Sequence, residues 1–418
     1  MRRRGRGEPP DPRSGAGAGL KPVAPWRHPL VAFGSVSFAY YGYAGLFGTY
    51  APLWRHSLGL GTMTIGAITA LQSSTRLWSP YAWAWLADHS ERRAGWLRAA
   101  AVLSGVSALA LCWGPARVAW IAGATLALSV CTAAVTPINE AALTGWVSRG
   151  DTLDAGRYGR VRVWGSIGFI VAVLAGGTVL QAIGEGWFPV LVATAVATMG
   201  VAVWRLPFLP EDAGVARVTV AVWPVLRTPS LGWFFAGVFL TVLAHTSLYA
   251  FFSLYLVTLG YGQAEIGVFW TIGVAAEVGW FWFQGRWVAR RRDHAWLTLA
   301  AIVAALRFAA LAAYGTVPTV LVLSQCTHAV TFAAQHSACV AIINRHFPGR
   351  LRGRGMALYT VLGYGASGVV GGLAGGALSQ ACGLAAVFWA ASACACLAAL
   401  CSRRADVLQR RIAGHIPD

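Results

Sequence analysis

Twelve apolar stretches, each close to the length that crosses a bilayer, constrain the fold of this chain more than any other feature. They lie at 29–53, 65–86, 96–114, 118–141, 160–182, 187–206, 230–258, 265–288, 295–315, 317–343, 355–380 and 384–401. A spanning helix needs about 20 apolar residues. With 57% hydrophobic and only 11% charged residues, a chain of 418 residues could not hide its apolar surface in water. The sequence therefore predicts an all-α membrane protein with twelve transmembrane helices.

An internal repeat divides these helices into two halves. Residues 64–66 align with residues 265–267 without a gap, and the same alignment places Arg76 opposite Glu277. A proline-rich linker at 207–229 separates residues 28–206 from residues 230–402. Such a repeat predicts two pseudo-symmetric six-helix bundles with a shared site near the bilayer midplane. Residues 1–27 form a disordered tail in this prediction, and residues 403–418 form a second tail.

The basic residues are distributed very unevenly. If the N-terminus is cytosolic, all of the 33 Lys and Arg residues except Arg55, Arg76, Arg117 and Arg307 fall in cytosolic segments or at their borders. The net charge of +18 is therefore explained by membrane topology, and we expect no nucleic-acid partner. We expect a monomer in the bacterial inner (plasma) membrane, in contact with lipid and with both termini in the cytosol.

Glu277 is the charged residue in the middle of the eighth apolar stretch. A carboxylate at that depth costs about 2.5 to 3.5 kcal/mol on insertion scales, so it needs a partner, a proton or a water-filled cavity. It could be half of a structural ion pair, or the proton or substrate site of a transporter. Arg307 is the only charge in the ninth stretch, and it calls for an anionic neighbour, with Glu277 and His328 as the candidates.

The tenth stretch carries polar side chains at helical spacing. His328, Thr331, Phe332, Gln335 and His336 fall at i, i+3, i+4, i+7 and i+8, which places them on one face of a helix. Two imidazoles on one stripe of a membrane helix favour a wet, functional cavity over a hydrogen-bonded core. Because no third ligand with metal spacing accompanies them, no metal site is predicted.

Small residues repeat every four positions in the eleventh stretch, at Gly368, Gly372 and Gly376. Such a pattern lets another helix backbone approach closely. We expect these glycines to serve the scaffold and not the ligand.

Several motifs resemble those of a known superfamily. The loop 85–93, with Asp88, Arg92 and Arg93, resembles the signature loop of the major facilitator superfamily, which acts there as a charge latch that gates the cytosolic face. Segments 41–54, 158–166, 273–278 and 328–336 resemble the phenylpropionate permease group, whose wider relatives include proton symporters of the lactose permease type. The resemblance implies the major facilitator fold for the whole chain after the tail.

The resemblance also implies roles for single residues. Glu277, Arg307 and His328 match the proton-coupling cluster of the lactose permease type. Glu140 and Arg162 match a carboxylate–arginine pair that helps to bind sugar there, although a plain ion pair lining the cavity mouth explains them equally well. Two departures matter. Thr331 stands where that type has its acidic proton carrier, and Phe169 replaces the Trp that packs on the sugar, which counts against a galactoside.

These residues predict a proton-coupled symporter for a small organic carboxylate, with aromatic acids as the family's expectation, working by alternating access without a cofactor. Two alternatives stay open: a proton-driven efflux antiporter for drugs or sugars, and a non-transporting membrane sensor of the same fold. No enzyme motif occurs. The expected substrate-binding residues are Arg76, Glu140, Arg162, Phe169, Arg307, Phe332, Gln335 and His336.

Overall fold

The computed structural model describes residues 29–90, 92–149, 152–153, 155–206, 227–286, 291–348 and 351–413. The predicted N-terminal tail, most of the linker and the last five residues lie outside this part of the chain. The described residues form long apolar helices, and the predicted fold class is confirmed. Eleven of these helices are long and apolar enough to cross a membrane, and the second span becomes the twelfth once its two shorter pieces are joined.

The spans, numbered 1 to 12 in chain order, include several interrupted helices. Spans 1 to 6 are Pro29–Ser57, Thr62–Ser74 with Ser79–Ser90, Arg93–Trp113, Val118–Thr132 with Val135–Val147, Ala155–Ile183 and Phe188–Trp204. Spans 7 to 9 are Pro229–Thr258, Gln263–Phe283 and Asp293–Tyr314. Span 10 is Pro318–Cys326, a π-helical turn at Ala329–Ala334, and Gln335–His346. Span 11 is Arg352–Leu358, a π-helical turn at Tyr359–Ala366, and Ser367–Cys382, and span 12 is Leu384–Ala413.

Two features differ from the predicted boundaries. The helix of span 12 continues to Ala413, through residues that the sequence assigned to a tail, and His294 of span 9 hydrogen-bonds Gln409 there at 2.6 Å. A two-stranded antiparallel hairpin, Ser148–Arg149 with Thr152–Leu153, connects spans 4 and 5. Short 3₁₀ turns occur at Thr75–Leu77, Glu185–Trp187 and Gln284–Arg286.

Span 2 is interrupted in its middle, at the 3₁₀ turn Thr75–Leu77. Pro80 is the second residue of the second piece, and a proline has no N–H to donate to the carbonyl of the residue four positions earlier. That carbonyl belongs to Arg76. Trp78 leaves the helical region at φ −140° and ψ −35°, and the Ser79 hydroxyl caps a carbonyl of span 4, that of Val130, at 2.9 Å. The interruption places Arg76 at mid-span on irregular backbone.

The two bundles touch along two seams that the repeat relates to each other, the seam of spans 2 and 11 and the seam of spans 5 and 8. In the first, a Cβ on Gly66 would overlap the carbonyl of Gly372 and lie 2.9 Å from Cα of Gly376. In the second, a Cβ on Gly267 would lie 3.0 Å from the carbonyl of Val173, and one on Gly177 would lie 2.6 Å from the carbonyl of Gln263. Gly66 is the repeat partner of Gly267. The close helix approach predicted from the glycines of span 11 is confirmed at Gly372 and Gly376.

Hydrogen bonds join the bundles at the face where spans 1 and 5 end and span 8 begins. The Tyr50 hydroxyl donates to the carbonyls of Val173 at 2.7 Å and Gln263 at 3.2 Å. The Gln263 amide donates to Glu185 at 2.7 Å, and the Ala264 N–H donates to Gln181 at 2.9 Å. We call this the closed face; under the predicted topology it is extracellular.

Candidate functional site

Spans 8, 9 and 10 bring the three predicted coupling residues together. Nη1 of Arg307 lies 3.1 Å from Nδ1 of His328, and Nε2 of the same ring lies 3.8 Å from Oε2 of Glu277. The arginine and the histidine are buried, whereas the Glu277 side chain keeps 22% of its surface exposed. The histidine therefore stands between the other two, and of the three side chains the carboxylate keeps the most accessible surface.

Arg307 is held by neutral groups. Its Nε donates to the Ser324 hydroxyl at 3.1 Å, its Nη1 to Thr331 at 3.0 Å and to His328, and its Nη2 to Gln325 at 3.4 Å. Within the described residues no carboxylate forms an ion pair with it, so the predicted anionic neighbour is replaced by four neutral acceptors. Neutral acceptors can hold the buried Arg307 because a guanidinium has five N–H donors, and hydrogen bonds to them offset part of the cost of burying its charge.

The Arg307 contact fixes the proton of His328. A guanidinium only donates, so Nδ1 of His328 must accept and therefore carries no proton. The proton of the neutral ring then sits on Nε2, the nitrogen that faces Glu277. A second proton on Nδ1 would put two donors and two positive charges against each other, so His328 can become an imidazolium only if Arg307 moves away.

His245 of span 7 extends the same network and was missed in the sequence. Its Nε2 lies 3.2 Å from the Thr331 hydroxyl, and its Nδ1 lies 2.8 Å from the carbonyl of Thr241. Because Thr331 accepts from Arg307, its own hydrogen is free to go to His245. The residue type and position of His245 could have identified it, since it is an imidazole in a span that carries no charged residue.

The π-helical turn of span 10 arranges three rings in a column. The rings of His328 and Phe332 are 5.2 Å apart and within 7° of parallel, and those of Phe332 and His336 are 6.2 Å apart and within 10°. Nδ1 of His336 shares a hydrogen bond of 3.0 Å with the Tyr359 hydroxyl, in the π-helical turn of span 11. Gln335, expected on this face, is instead buried with its amide 3.2 Å from the sulfur of Cys339. Turns of this kind occur frequently at functional sites.

The predicted pair of the first half also forms. Nε of Arg162 lies 3.8 Å from Oε1 of Glu140, and Nη2 donates to the Tyr41 hydroxyl at 2.8 Å while the guanidinium carbon lies 4.2 Å from the centre of that ring. The Tyr158 hydroxyl donates to the other oxygen of Glu140 at 2.8 Å. Both charged side chains are partly exposed, so the pair lies on a surface and not in a core.

Arg76 and Phe169 differ in accessibility. Arg76 is exposed, and within the described residues it forms no ion pair. Phe169 packs on span 1, where a Cβ on Gly45 would lie 2.8 Å from its ring, so it fills a helix contact and is only partly exposed.

Charges of the first half act on groups of the second. Arg162 interacts electrostatically with Glu277 and with His336. Arg76 interacts in the same way with Tyr249 of span 7 and Tyr364 of span 11. Arg76 and Arg162 of the first bundle therefore lie within electrostatic range of polar groups of the second.

The predicted gating loop is only partly described. Asp88 lies in the helix Ser79–Ser90, but its side chain is outside the described part of the structure. Arg92 is exposed just before span 3, and Arg93 is the first residue of that helix. The charge latch stays a prediction. In the described residues no group of three His, Cys, Asp or Glu side chains could hold a metal ion.

Comparison with known proteins places this arrangement among transporters. The profile of the MFS_1 like family matches residues 30–390. A probable 3-phenylpropionic acid transporter of Escherichia coli (strain K12) is 28% identical over 313 residues, covering 73% of this chain and 80% of the relative. A maltose permease of Geobacillus stearothermophilus is 25% identical over 363 residues, covering 85% and 89%.

Solved structures share the fold. The nucleoside transporter NupG superposes with a TM-score of 0.78 at 14% identity, covering 90% of this chain and 98% of that one. A POT family transporter in complex with a thioalcohol conjugated peptide superposes with a TM-score of 0.69 at 14% identity, covering 92% and 96%. At these identities the likeness concerns the fold alone.

Proposed function

The chain belongs to the MFS_1 like family and is a transporter of the major facilitator type, and from that premise we propose that it couples proton movement to symport of a small aromatic carboxylate. One observation carries the proposal: a partly exposed Glu277 adjoins a buried network of Arg307, His328, Thr331 and His245. A membrane protein that needed only a stable core would gain nothing from so many ionisable groups at this depth.

The charges explain how proton and substrate binding are coupled. Arg76, Arg162 and Arg307 contribute three positive charges around the region between the bundles, and Glu140 and Glu277 contribute two negative ones, which leaves +1. A proton on Glu277 raises the net charge to +2, so an anion binds more tightly to the protonated form. By reciprocity the anion also strengthens proton binding, which is what symport requires.

Arg76 is the best anchor for the substrate carboxylate. The donors of Arg307 are taken up by Ser324, Gln325, His328 and Thr331, whereas the guanidinium of Arg76 is exposed on the opposite bundle. Arginine is suited to this task because its planar fork donates two parallel hydrogen bonds to a carboxylate.

An aromatic body fits the ring column of span 10. Phe332 lies between the two imidazoles and is only half-buried, so the open edge of its ring can make an edge-to-face contact with an aromatic substrate. The name of the Escherichia coli relative describes a compound with both features, a phenyl ring and a carboxylate.

Transport by purified protein in proteoliposomes tests the proposal. We expect 3-phenylpropionate to accumulate against its gradient when the pH is lower on the closed-face side, and a protonophore should abolish the accumulation. Right-side-out and inverted vesicles distinguish this from proton-driven efflux. Preferential uptake of maltose, the substrate in the other relative's name, would overturn the choice of substrate, and absence of any transport would favour a sensor.

A further inference from the structure

A groove on the outside of the first bundle shares no lining residue with the polar network and has the form of a lipid site. It lies between spans 3 and 6, which pack side by side, and encloses about 460 Å³. Its floor is made of small residues, among them Gly105 and Gly200, and its rim includes Val102, Val201 and Trp204, each more than half exposed.

The length of the groove corresponds to one leaflet. Its lining on span 6 and on the residue that follows runs from Val196 to Arg205, ten residues with a rise of about 14 Å along the helix. The hydrocarbon core of a bilayer is about 30 Å thick, so the groove extends over nearly half of it. The length of the groove therefore matches that of one acyl chain. The end of the groove near Trp204 lies at the level of the lipid headgroups, where Trp is common.

The end of the groove is positively charged. Arg205 is exposed at the end of span 6, and the guanidinium carbon of Arg98 lies 5.2 Å from the centre of the Trp204 ring. Nε of Arg98 is buried without a hydrogen-bond partner, and within the described residues neither arginine forms an ion pair. Two guanidinium groups without a carboxylate partner in the described residues therefore flank this end of the groove.

We propose that the groove between spans 3 and 6 binds one anionic phospholipid, with an acyl chain over Gly105 and Gly200 and the headgroup phosphate between Arg98 and Arg205. Basic pockets between transmembrane helices on the cytosolic side suit such headgroups. A second copy of the chain fits less well, because in an interface between two parallel copies the arginines of both would lie at the same depth and their like charges would repel.

Native mass spectrometry of the full, delipidated chain titrated with phosphatidylglycerol tests the proposal. The double variant Arg98→Gln/Arg205→Gln should bind its tightest phosphatidylglycerol about tenfold more weakly. Gly105→Leu/Gly200→Leu should do the same by filling the groove, since a Cβ at either position meets no atom within 4 Å and the helices need not move.

Matched controls are Gly123→Leu, which also points into open space, and Arg117→Gln at the opposite end of the bundle. Both should retain the affinity of the parent. Unchanged affinity in the Arg98 and Arg205 double variant, or equally tight binding of phosphatidylcholine, would overturn the proposal. Crosslinking of two copies through Val102→Cys in a bilayer would overturn it in favour of a protein partner.

Discussion

His328 accepts a hydrogen bond from Arg307 on Nδ1, at 3.1 Å, and so presents its Nε2 proton to Glu277. The ring cannot take a second proton without displacing the guanidinium. In the proposed symport, we therefore expect the coupling proton to reside on the Glu277 carboxyl group, with His328 as the contact between that group and Arg307.

Replacing Glu277 with Gln keeps the shape of the side chain but removes the proton site. We expect Glu277→Gln to abolish uphill accumulation while exchange of labelled for unlabelled substrate continues. The measurement is uptake with and without an imposed pH gradient. Glu265→Gln, at the start of the same helix, is the control, because its carboxylate only caps the Gly262 N–H. Uphill uptake at the parental level in Glu277→Gln would contradict the coupling role.

Arg76→Gln should weaken binding of 3-phenylpropionate about tenfold or more, since a charge-assisted hydrogen bond contributes about 1.5 to 3 kcal/mol. Ligand-induced thermal stabilisation of the purified protein gives the affinity. The uncharged amide of the same acid should bind both proteins alike, and Arg117→Gln should behave as the parent. An equal loss of affinity for the acid and for its amide would mean that Arg76 affects the structure of the binding region without binding the carboxylate.

Thr331→Val should destabilise the protein by about 1–3 kcal/mol, because it leaves a donor of Arg307 and the Nε2 of His245 without partners in a buried place. Thermal unfolding in detergent measures the effect. Thr49→Val is a close match, since that hydroxyl is equally buried and has no hydrogen-bond partner. Thr49→Val should leave the melting temperature unchanged. Similar melting temperatures for Thr49→Val and Thr331→Val would count against a stabilising role of the network.

Gly66→Ala should disfavour the closed face, because the added methyl group would overlap Gly372 and the two bundles could not approach as they do here. Spin labels at Ser57 and Val317, on the two bundles at that face, should move apart by several ångströms in a background without native cysteines. Gly48→Ala, whose methyl group meets open space, is the control. An unchanged distance distribution in Gly66→Ala would show that the seam tolerates the methyl group.

The number and positions of the spans follow from the sequence, because a segment that crosses the lipid must be mostly apolar over its whole length. The spans, the repeat and the meeting of Glu277, Arg307 and His328 were all predictable. The interruption of span 2 was not predicted, although Pro80 lies inside the apolar stretch and marks it. Helical spacing placed His328, Phe332 and His336 on one face, but the near-parallel orientation of their rings depends on side-chain rotamers and on the π-helical turn, which the residue pattern does not contain.

Arg307 shows a second limit. The sequence identifies a charge that must be compensated, but it does not distinguish a carboxylate from several neutral acceptors. That choice depends on rotamers and on distances of about 3 Å between spans, which the pattern of residue types does not contain. For His245, by contrast, the sequence shows both the residue type and the position within the span. It does not show that Thr331 is its hydrogen-bond partner.

The two glycine seams have a consequence for chimaeric proteins. Each seam takes one helix from each half, and Gly66 in one seam is the repeat partner of Gly267 in the other. A half transplanted from a relative must therefore fit both seams at once. A single bulkier residue at either position would keep the two bundles of the chimaera from packing together. Halves from different family members should be interchangeable only when they carry small residues at both places.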